Sequence, residues 1–188
     1  MIRIFPLIFI LLWSSAFITT KPIIDNSDPF SALAFRFFFV AVGFYLFSVY
    51  SKQSIIIKKK NLVESVLSGV LFHGFYLGGV FYSISIGMPT GIAALIVTLQ
   101  PVLTNALSGP ILGEKVTLKQ WIGVLLGFIG AALVLGFDIG SEIPLLGLVA
   151  TIVALVAITT STIWQKKLSN NLPLSVSNFY QAVGGCLF

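Results

Sequence analysis

The sequence predicts an all-α polytopic membrane protein, and three observations support this fold class. Apolar residues make up 57% of the 188 residues and charged residues only 9%, whereas soluble domains carry about 25% charged residues. Seven long apolar stretches follow one another along the chain. The basic residues fall mainly on every second connection between these stretches, a pattern that sets orientation in a bilayer.

Six of the seven stretches have the length of a helical membrane span, which needs about 20 apolar residues. They are Ile4–Thr20, Ser31–Tyr50, Val63–Ile86, Gly91–Leu112, Trp121–Phe137 and Leu145–Trp164. The first resembles a secretory signal behind Arg3, but its apolar run continues too far, so we expect an uncleaved span. The seventh runs from Leu174 to Phe188 and rises only about 22 Å, less than a hydrocarbon core of roughly 30 Å. We therefore expect it to be incomplete within this sequence.

The basic residues indicate the orientation of the predicted spans. One side of the bundle carries Arg3, Lys52, Lys58, Lys59, Lys60, Lys115, Lys119, Lys166 and Lys167. The other side carries Lys21 with the acids Asp25, Asp28, Asp138 and Glu142. The positive-inside rule then predicts a multi-pass protein of the cell (inner) membrane with a cytoplasmic N-terminus. The same rule explains the net charge of +5, so we expect a lipid bilayer as partner and no nucleic acid.

Catalytic and metal-binding patterns are absent from the sequence. It contains no paired carboxylates within a span, no metal-ligand spacing, no glycine-rich phosphate loop and no GxSxG element. The single cysteine, Cys186, cannot form a disulfide within the chain. We therefore expect neither an enzyme nor a bound metal or cofactor.

Polar side chains within the spans are the functional candidates, because such groups are costly in lipid. Arg36 lies about 8 Å inside the second span, where it can bind an anionic group of a substrate, pair with a carboxylate or extend to the headgroups. His73 lies near the middle of the third span, with Tyr76 one turn away. It can relay protons or bond to a neighbouring helix. Trp13 lies deep in the first span, where its indole needs an acceptor or water.

The fourth span contains a predicted kink at Pro101. Proline has no amide hydrogen, so the carbonyl of Val97 loses its helical partner and the helix should bend. Gln100 and Thr104 share one face beside this bend because they are four residues apart. Broken helices often mark transporter sites, although a proline kink can also serve packing alone. We include Gln100 and Thr104 with Trp13, Arg36, His73 and Tyr76 as candidates for a substrate path.

Glycine and alanine recur at four-residue spacing in three predicted spans. The small faces are Gly74 and Gly78, Gly109 and Gly113, and the series Gly123, Gly127 and Ala131. Because small residues let helix backbones approach closely in lipid, this pattern predicts a tight bundle.

Two features suggest an internal repeat and a family. Pro29, Ser31 and Phe35 recur with identical spacing as Pro173, Ser175 and Phe179. A repeat of five spans is odd in number, so the second copy would be inverted. Four motifs then carry a resemblance to the EamA-like permeases of the drug/metabolite transporter superfamily, most specifically over residues 90–136. They are Gly91-Ile92-Ala93-Ala94-Leu95, Gln100-Pro101-Val102-Leu103-Thr104, Leu112-Gly113-Glu114-Lys115 and Gln120-Trp121-Ile122-Gly123. Trp13 to Phe17, with Lys21, Pro29 and Arg36, resembles the opening pattern of this family.

The resemblance implies two inverted five-helix repeats around a central cavity that moves small metabolites, amino acids or drugs, commonly outward. Residues 1–137 would form the first repeat and residues 144–188 an incomplete second one. Glu114 would be a structural acid. Alternating access would rock one bundle against the other, and a homodimer is a further expectation. The rival hypotheses are a non-transporting membrane interaction protein and an inert fragment of a permease.

Overall fold

The computed structural model describes residues 4–113, 116–135, 143–169 and 172–187. The helices are α1 (Phe5–Asn26), α2 (Pro29–Tyr50), α3 (Lys59–Gly69), a π-helical segment (Val70–Gly78), α4 (Gly79–Ser85), α5 (Thr90–Val97), α6 (Gln100–Leu112), α7 (Leu118–Leu135), α8 (Leu145–Ser169) and α9 (Leu174–Cys186). No strand occurs in these ranges. Several residues used in the sequence interpretation lie outside them: Arg3, Glu114, Lys115, Phe137, Asp138, Glu142 and Phe188.

Four helical stretches in the described ranges are long and apolar enough to cross a membrane. They are Pro29–Tyr50, Lys59–Ser85, Thr90–Leu112 and Leu145–Leu168, with 22 to 27 residues each. The apolar part of α7, Leu118–Gly130, is shorter. The structure therefore has the multi-pass helical architecture that the sequence predicts, while the crossing of α1, α7 and α9 stays a prediction.

Local sequence explains where several helices begin and end. The side chain of Asp28 accepts a hydrogen bond of 2.8 Å from the amide of Ser31 and caps α2, with Pro29 at the first helical position. Gly113 ends α6 in the left-handed conformation at φ 70°, which favours glycine. The fourth span is interrupted between Val97 and Gln100, directly before Pro101.

The third span contains an element that the sequence does not predict. Val70–Gly78 forms nine residues of π-helix between α3 and α4 without a break in the helical path. Such helices are rare, usually a single turn, and frequently lie at functional sites. This segment carries both His73 and Tyr76.

The centre of the bundle is formed by α8 and α9 packing against the earlier helices. α9 packs along α2 and α3, and α8 packs along the π-helical segment, α4 and α6. α2 and α9 run antiparallel: Ser48 near the end of α2 bonds to Ser175 near the start of α9 at 2.9 Å, and Cys186 at the end of α9 contacts the carbonyl of Ala34 near the start of α2. Met88, Ala93 and Val97 pack with Ala154 and Ile158 of α8 in the main apolar core.

Glycines bring α9 into backbone contact with α3. A methyl group added at Gly69 would collide with the backbone of Gln181, and one added at Gly184 would collide with the backbone of Val66. Gly185 lies against the ring of His73 in the same way. A side chain larger than glycine does not fit at these positions, so the glycines permit the close approach of α3 and α9.

Gly123 and Gly127 of the predicted small face of α7 make no such close contact among the described residues. The Ala131 side chain lies outside the described part of the chain, and the tight packing of this face stays a prediction. A methyl group added at Gly123, Gly127 or Gly130 would meet no atom within 4 Å. α7 contacts α5 and α6 only sparingly. The spacing of small residues shows where a close approach is permitted, and it does not show whether a partner is present.

Candidate solute-binding site

A cavity of about 250 Å³ lies between α1, α2, the π-helical segment and α4. It is lined by Leu12, Trp13, Ala16, Thr20, Arg36, Phe72, Tyr76, Leu77, Val80 and Phe81. Helical spacing explains this set, because Phe72, Tyr76 and Val80 are four residues apart on one face. The volume is close to the lower end of small-molecule sites, about 300 Å³. The cavity therefore suits a small solute with an apolar part.

Three of the predicted site residues meet in this cavity: Trp13, Arg36 and Tyr76. Arg36 places its guanidinium carbon 6.0 Å from the ring centre of Phe37, within the range of a cation–π contact. Among the described residues the ion pairs are Lys21–Asp25 and Lys60–Glu64, so neither involves Arg36. Among the described residues that line the cavity, Arg36 is the charged one, and its guanidinium provides a docking point for a carboxylate or phosphate.

His73 lies beside the cavity and not in its lining. Its ring is 4.2 Å from that of Phe37 and 5.1 Å from that of Phe72, centre to centre. Its Nδ1 atom is buried and has no hydrogen-bond partner among the described residues. A bond from this nitrogen to a neighbouring helix, one of the two sequence interpretations, is therefore not formed here. A buried polar atom without a partner is unusual in a native structure, which keeps His73 among the functional candidates.

Gln100 and Thr104 form a separate polar group at the contact of α6 with α8. The Gln100 side-chain amide donates to the Thr104 hydroxyl at 3.1 Å and to the Thr162 hydroxyl at 3.3 Å. Neither residue lines the 250 Å³ cavity. The structure thus divides the six predicted residues into a cavity group, a neighbouring histidine and a polar pair on another face.

Sequence reasoning missed Thr20, Thr162 and the aromatic residues Phe72 and Phe81. Ala16 and Thr20 follow Trp13 at three and seven residues, so the spacing on α1 could have indicated them. The hydroxyl-rich run before Trp164 could likewise have indicated Thr162. No sequence signal distinguished Phe72 and Phe81 from the other 15 of the 17 phenylalanines, because in such an apolar chain the cavity-facing and lipid-facing rings look alike.

A bundle with several helices long and apolar enough to cross a membrane defines the class, which is that of polytopic α-helical membrane proteins. The profile of the EamA-like transporter family matches residues 2–136. The chain therefore belongs to the EamA-like transporter family.

Relatives with assigned names agree with this membership. Uncharacterized transporter YvbV of Bacillus subtilis (strain 168) is 32% identical over 106 residues, which is 56% of this chain and 33% of the relative. A probable amino-acid metabolite efflux pump of Escherichia coli (strain K12) is 25% identical over 166 residues, 88% of this chain and 53% of the pump. A similarly named pump of Salmonella typhimurium is 26% identical over 168 residues. The chain spans about a third to a half of the length of these relatives.

Proposed function

We propose that this chain acts in a permease that moves a small metabolite, amino acid or drug-like solute across the membrane by alternating access. The observation that carries the proposal is the cavity in which Arg36, Trp13 and Tyr76 meet. The guanidinium would hold a carboxylate of the solute, and the aromatic and aliphatic lining would hold its apolar part. The names of the relatives, amino-acid metabolite efflux pumps, support outward movement of an amino-acid-like solute.

We further propose two inverted repeats, with residues 1–137 as the first and residues 144–188 as the start of the second. The antiparallel packing of α2 and α9, the helices that begin at the two related proline motifs, supports this arrangement. α8 and α9 would then be the part of the second repeat against which the first one moves. A homodimer stays a prediction, and cross-linking in membranes would test it.

The proposed orientation places the N-terminus in the cytoplasm at the cell (inner) membrane. The hydroxyl of Tyr180 in α9 donates to the carbonyl of Ile55 in the α2–α3 connection at 2.9 Å. This bond supports the prediction that the lysines before α3 and those at the end of α8 lie at one end of the bundle. That end would face the cytoplasm by the positive-inside rule.

Flux through reconstituted vesicles tests the function. Vesicles that contain the intact protein and a panel of labelled amino acids and short carboxylates should release at least one of them in a saturable manner. Arg36→Gln should lower this flux roughly 10- to 100-fold, because a charge-assisted hydrogen bond contributes about 1.5–3 kcal/mol. Ala16→Phe, which fills the cavity without removing the charge, should lower it too.

The matched control is Lys21→Gln, which removes an exposed cation that pairs with Asp25 at 3.0 Å. It should leave the flux unchanged. Equal flux in the Arg36→Gln variant and the unaltered protein would move the solute site away from this cavity. A protein that is folded and releases no solute would favour the non-transporting interaction protein.

A further inference from the structure

A second cavity, here called the basic cavity, lies where the α2–α3 connection meets the α8–α9 connection. It has a volume of about 580 Å³, and Ser54, Ile56, Lys58, Lys60, Asn61 and Leu172 contribute to its lining. It shares no lining residue with the solute cavity. Its walls combine two kinds of chemistry, ammonium and amide donors on one side and aliphatic side chains on the other.

The aliphatic wall of the basic cavity includes an isoleucine with a highly exposed side chain. Ile56 is 92% exposed, the largest exposed fraction among the large apolar side chains of the described residues. Its neighbour Ile55 is fixed to α9 by the bond from Tyr180, and Gln53 bonds to Ser175 of α9. The connection is therefore bonded to α9 at two residues that closely precede the exposed Ile56. Such exposure is unfavourable in water and favourable at the boundary between headgroups and acyl chains.

The basic wall is electrostatically unbalanced. Lys58, Lys59 and Lys60 occupy the start of α3, where the helix has no side-chain cap and no acidic residue in its first turn. The helix dipole disfavours cations at this end. Lys60 approaches Glu64 only to 3.9 Å, and the Lys60 side chain is largely exposed. An anion between the lysines would relieve this repulsion.

We propose that the basic cavity binds an anionic phospholipid. The phosphate would lie between Lys58 and Lys60, and the glycerol and the first acyl carbons would lie along Ile56 and Leu172. Basic pockets between membrane helices on the cytoplasmic side bind anionic headgroups by this combination of charge and apolar surface. The α2–α3 and α8–α9 connections both line the cavity. A bound lipid would therefore bridge the part of the chain that contains α2 and α3 and the part that contains α8 and α9.

Binding to the purified intact protein in a neutral detergent tests this proposal. Phosphatidylglycerol and phosphatidylcholine with identical acyl chains are titrated and followed by native mass spectrometry. We expect phosphatidylglycerol to bind more tightly. Lys58→Gln combined with Lys60→Gln should lower its affinity roughly 30-fold, about fivefold per lysine. Ile56→Ser should lower it by about 10-fold through lost apolar contact.

The control combines Lys21→Gln with Lys119→Gln, which makes the same change in net charge at exposed lysines outside the basic cavity. It should retain the affinity for phosphatidylglycerol. Glu64→Gln, which removes a carboxylate beside Lys60, should raise that affinity. An equal loss in the control pair would overturn the proposal in favour of unspecific charge attraction. Equal binding of the two lipids, or full competition by inorganic phosphate, would also overturn it.

Discussion

The α3–α9 crossing and α7 both contain glycine, but these glycines end in opposite environments. Gly69 of α3 and Gly184 of α9 lie in backbone contact with the facing helix, whereas Gly123 and Gly127 of α7 meet no atom within 4 Å. The two regions differ in the helix that faces the glycines. α3 and α9 each place a glycine where the other has its backbone, whereas α5 and α6 do not offer a matching surface to α7. Small residues therefore allow two helices to approach closely, but a contact forms only where the facing helix has a matching surface.

The largest expected difference in the free energy of unfolding is between a methyl group added at the α3–α9 crossing and one added on α7. Gly184→Ala would push a methyl group into the backbone of Val66, which cannot move aside, so the free energy of unfolding should fall by roughly 2–3 kcal/mol. Gly127→Ala should instead raise it by about 0.5–1 kcal/mol, because alanine is the better helix former at a position with open space. Unfolding in a denaturing detergent, followed by circular dichroism, measures both.

An intermediate variant keeps this comparison informative if Gly184→Ala does not assemble. A methyl group at Gly79 would lie 3.1 Å from the carbonyl oxygen of Ala150 and 3.2 Å from the Ala154 side chain, so Gly79→Ala should cost less than Gly184→Ala. Destabilisation by Gly127→Ala as large as that by Gly184→Ala would show that the α7 face is packed in the membrane.

A medium effect is expected at the buried hydroxyl pair that joins α3 to α8. Ser68 and Ser161 lie 3.0 Å apart between their hydroxyl oxygens, and both side chains are fully buried. A double-mutant cycle with alanine at both positions should give a coupling energy of about 0.6 kcal/mol, with an upper limit near 1.7 kcal/mol. Ser85→Ala is the control, because its exposed hydroxyl bonds only to its own helix. A coupling energy of zero would mean that the two hydroxyls do not stabilise each other, and that the polar contact there is the bond of 3.0 Å from the Ser161 hydroxyl to the Ser68 carbonyl.

The smallest effect is expected at Asp28, which caps α2 at the end remote from Ser48 and Ser175. Hydrogen bonds from the amide and hydroxyl of Ser31 lower the pKa of this carboxyl below its ordinary value. The cap should therefore be complete above the ordinary pKa of the carboxyl and should be lost as the pH falls through the lowered pKa. Asp28→Asn should remove this pH dependence while keeping a cap, since asparagine also caps helices well.

The rate of hydrogen exchange at the Ser31 amide, followed against pH, measures the loss of the cap. Asp25 is the control acid: it pairs with Lys21, and its replacement should leave the exchange rate unchanged. Faster exchange in Asp28→Ala than in Asp28→Asn is the expected order. Equal exchange in the two variants would show that the start of α2 is held by tertiary contacts instead.

The sequence was sufficient for the features that depend on local chemistry. The helical multi-pass class follows from apolar length, and the interruption beside Pro101 follows from proline geometry. α2 begins at Pro29, two residues before the predicted start at Ser31, because the Asp28 side chain caps the helix there. The sequence also indicated Trp13, Arg36 and Tyr76 as candidates, because polar and amphipathic groups are rare within the spans. The three residues line one cavity, and their part in a substrate path stays a prediction.

Features that depend on packing partners could not be predicted. The sequence of Val70–Gly78 contains no signal for a π-helix, so this segment could not be predicted without the helices packed around it. The separation of Gln100 from Arg36 depends on how α6 and α8 are placed, which spacing along one helix cannot show. To predict the contact of Gly185 with His73, one must know that α9 lies beside the third span.

The position of α9 has a consequence for biosynthesis. α3 begins at Lys59, and α9, against which its glycine face packs, begins at Leu174. A ribosome adding 5–20 residues per second needs roughly 6 to 23 s to travel that distance. Throughout this interval Gly69 has no α9 against it, and Ser68 lacks its partner Ser161 until α8 is made. Slowing translation between α3 and α9 should therefore lengthen the exposure of this face to lipid and to degradation.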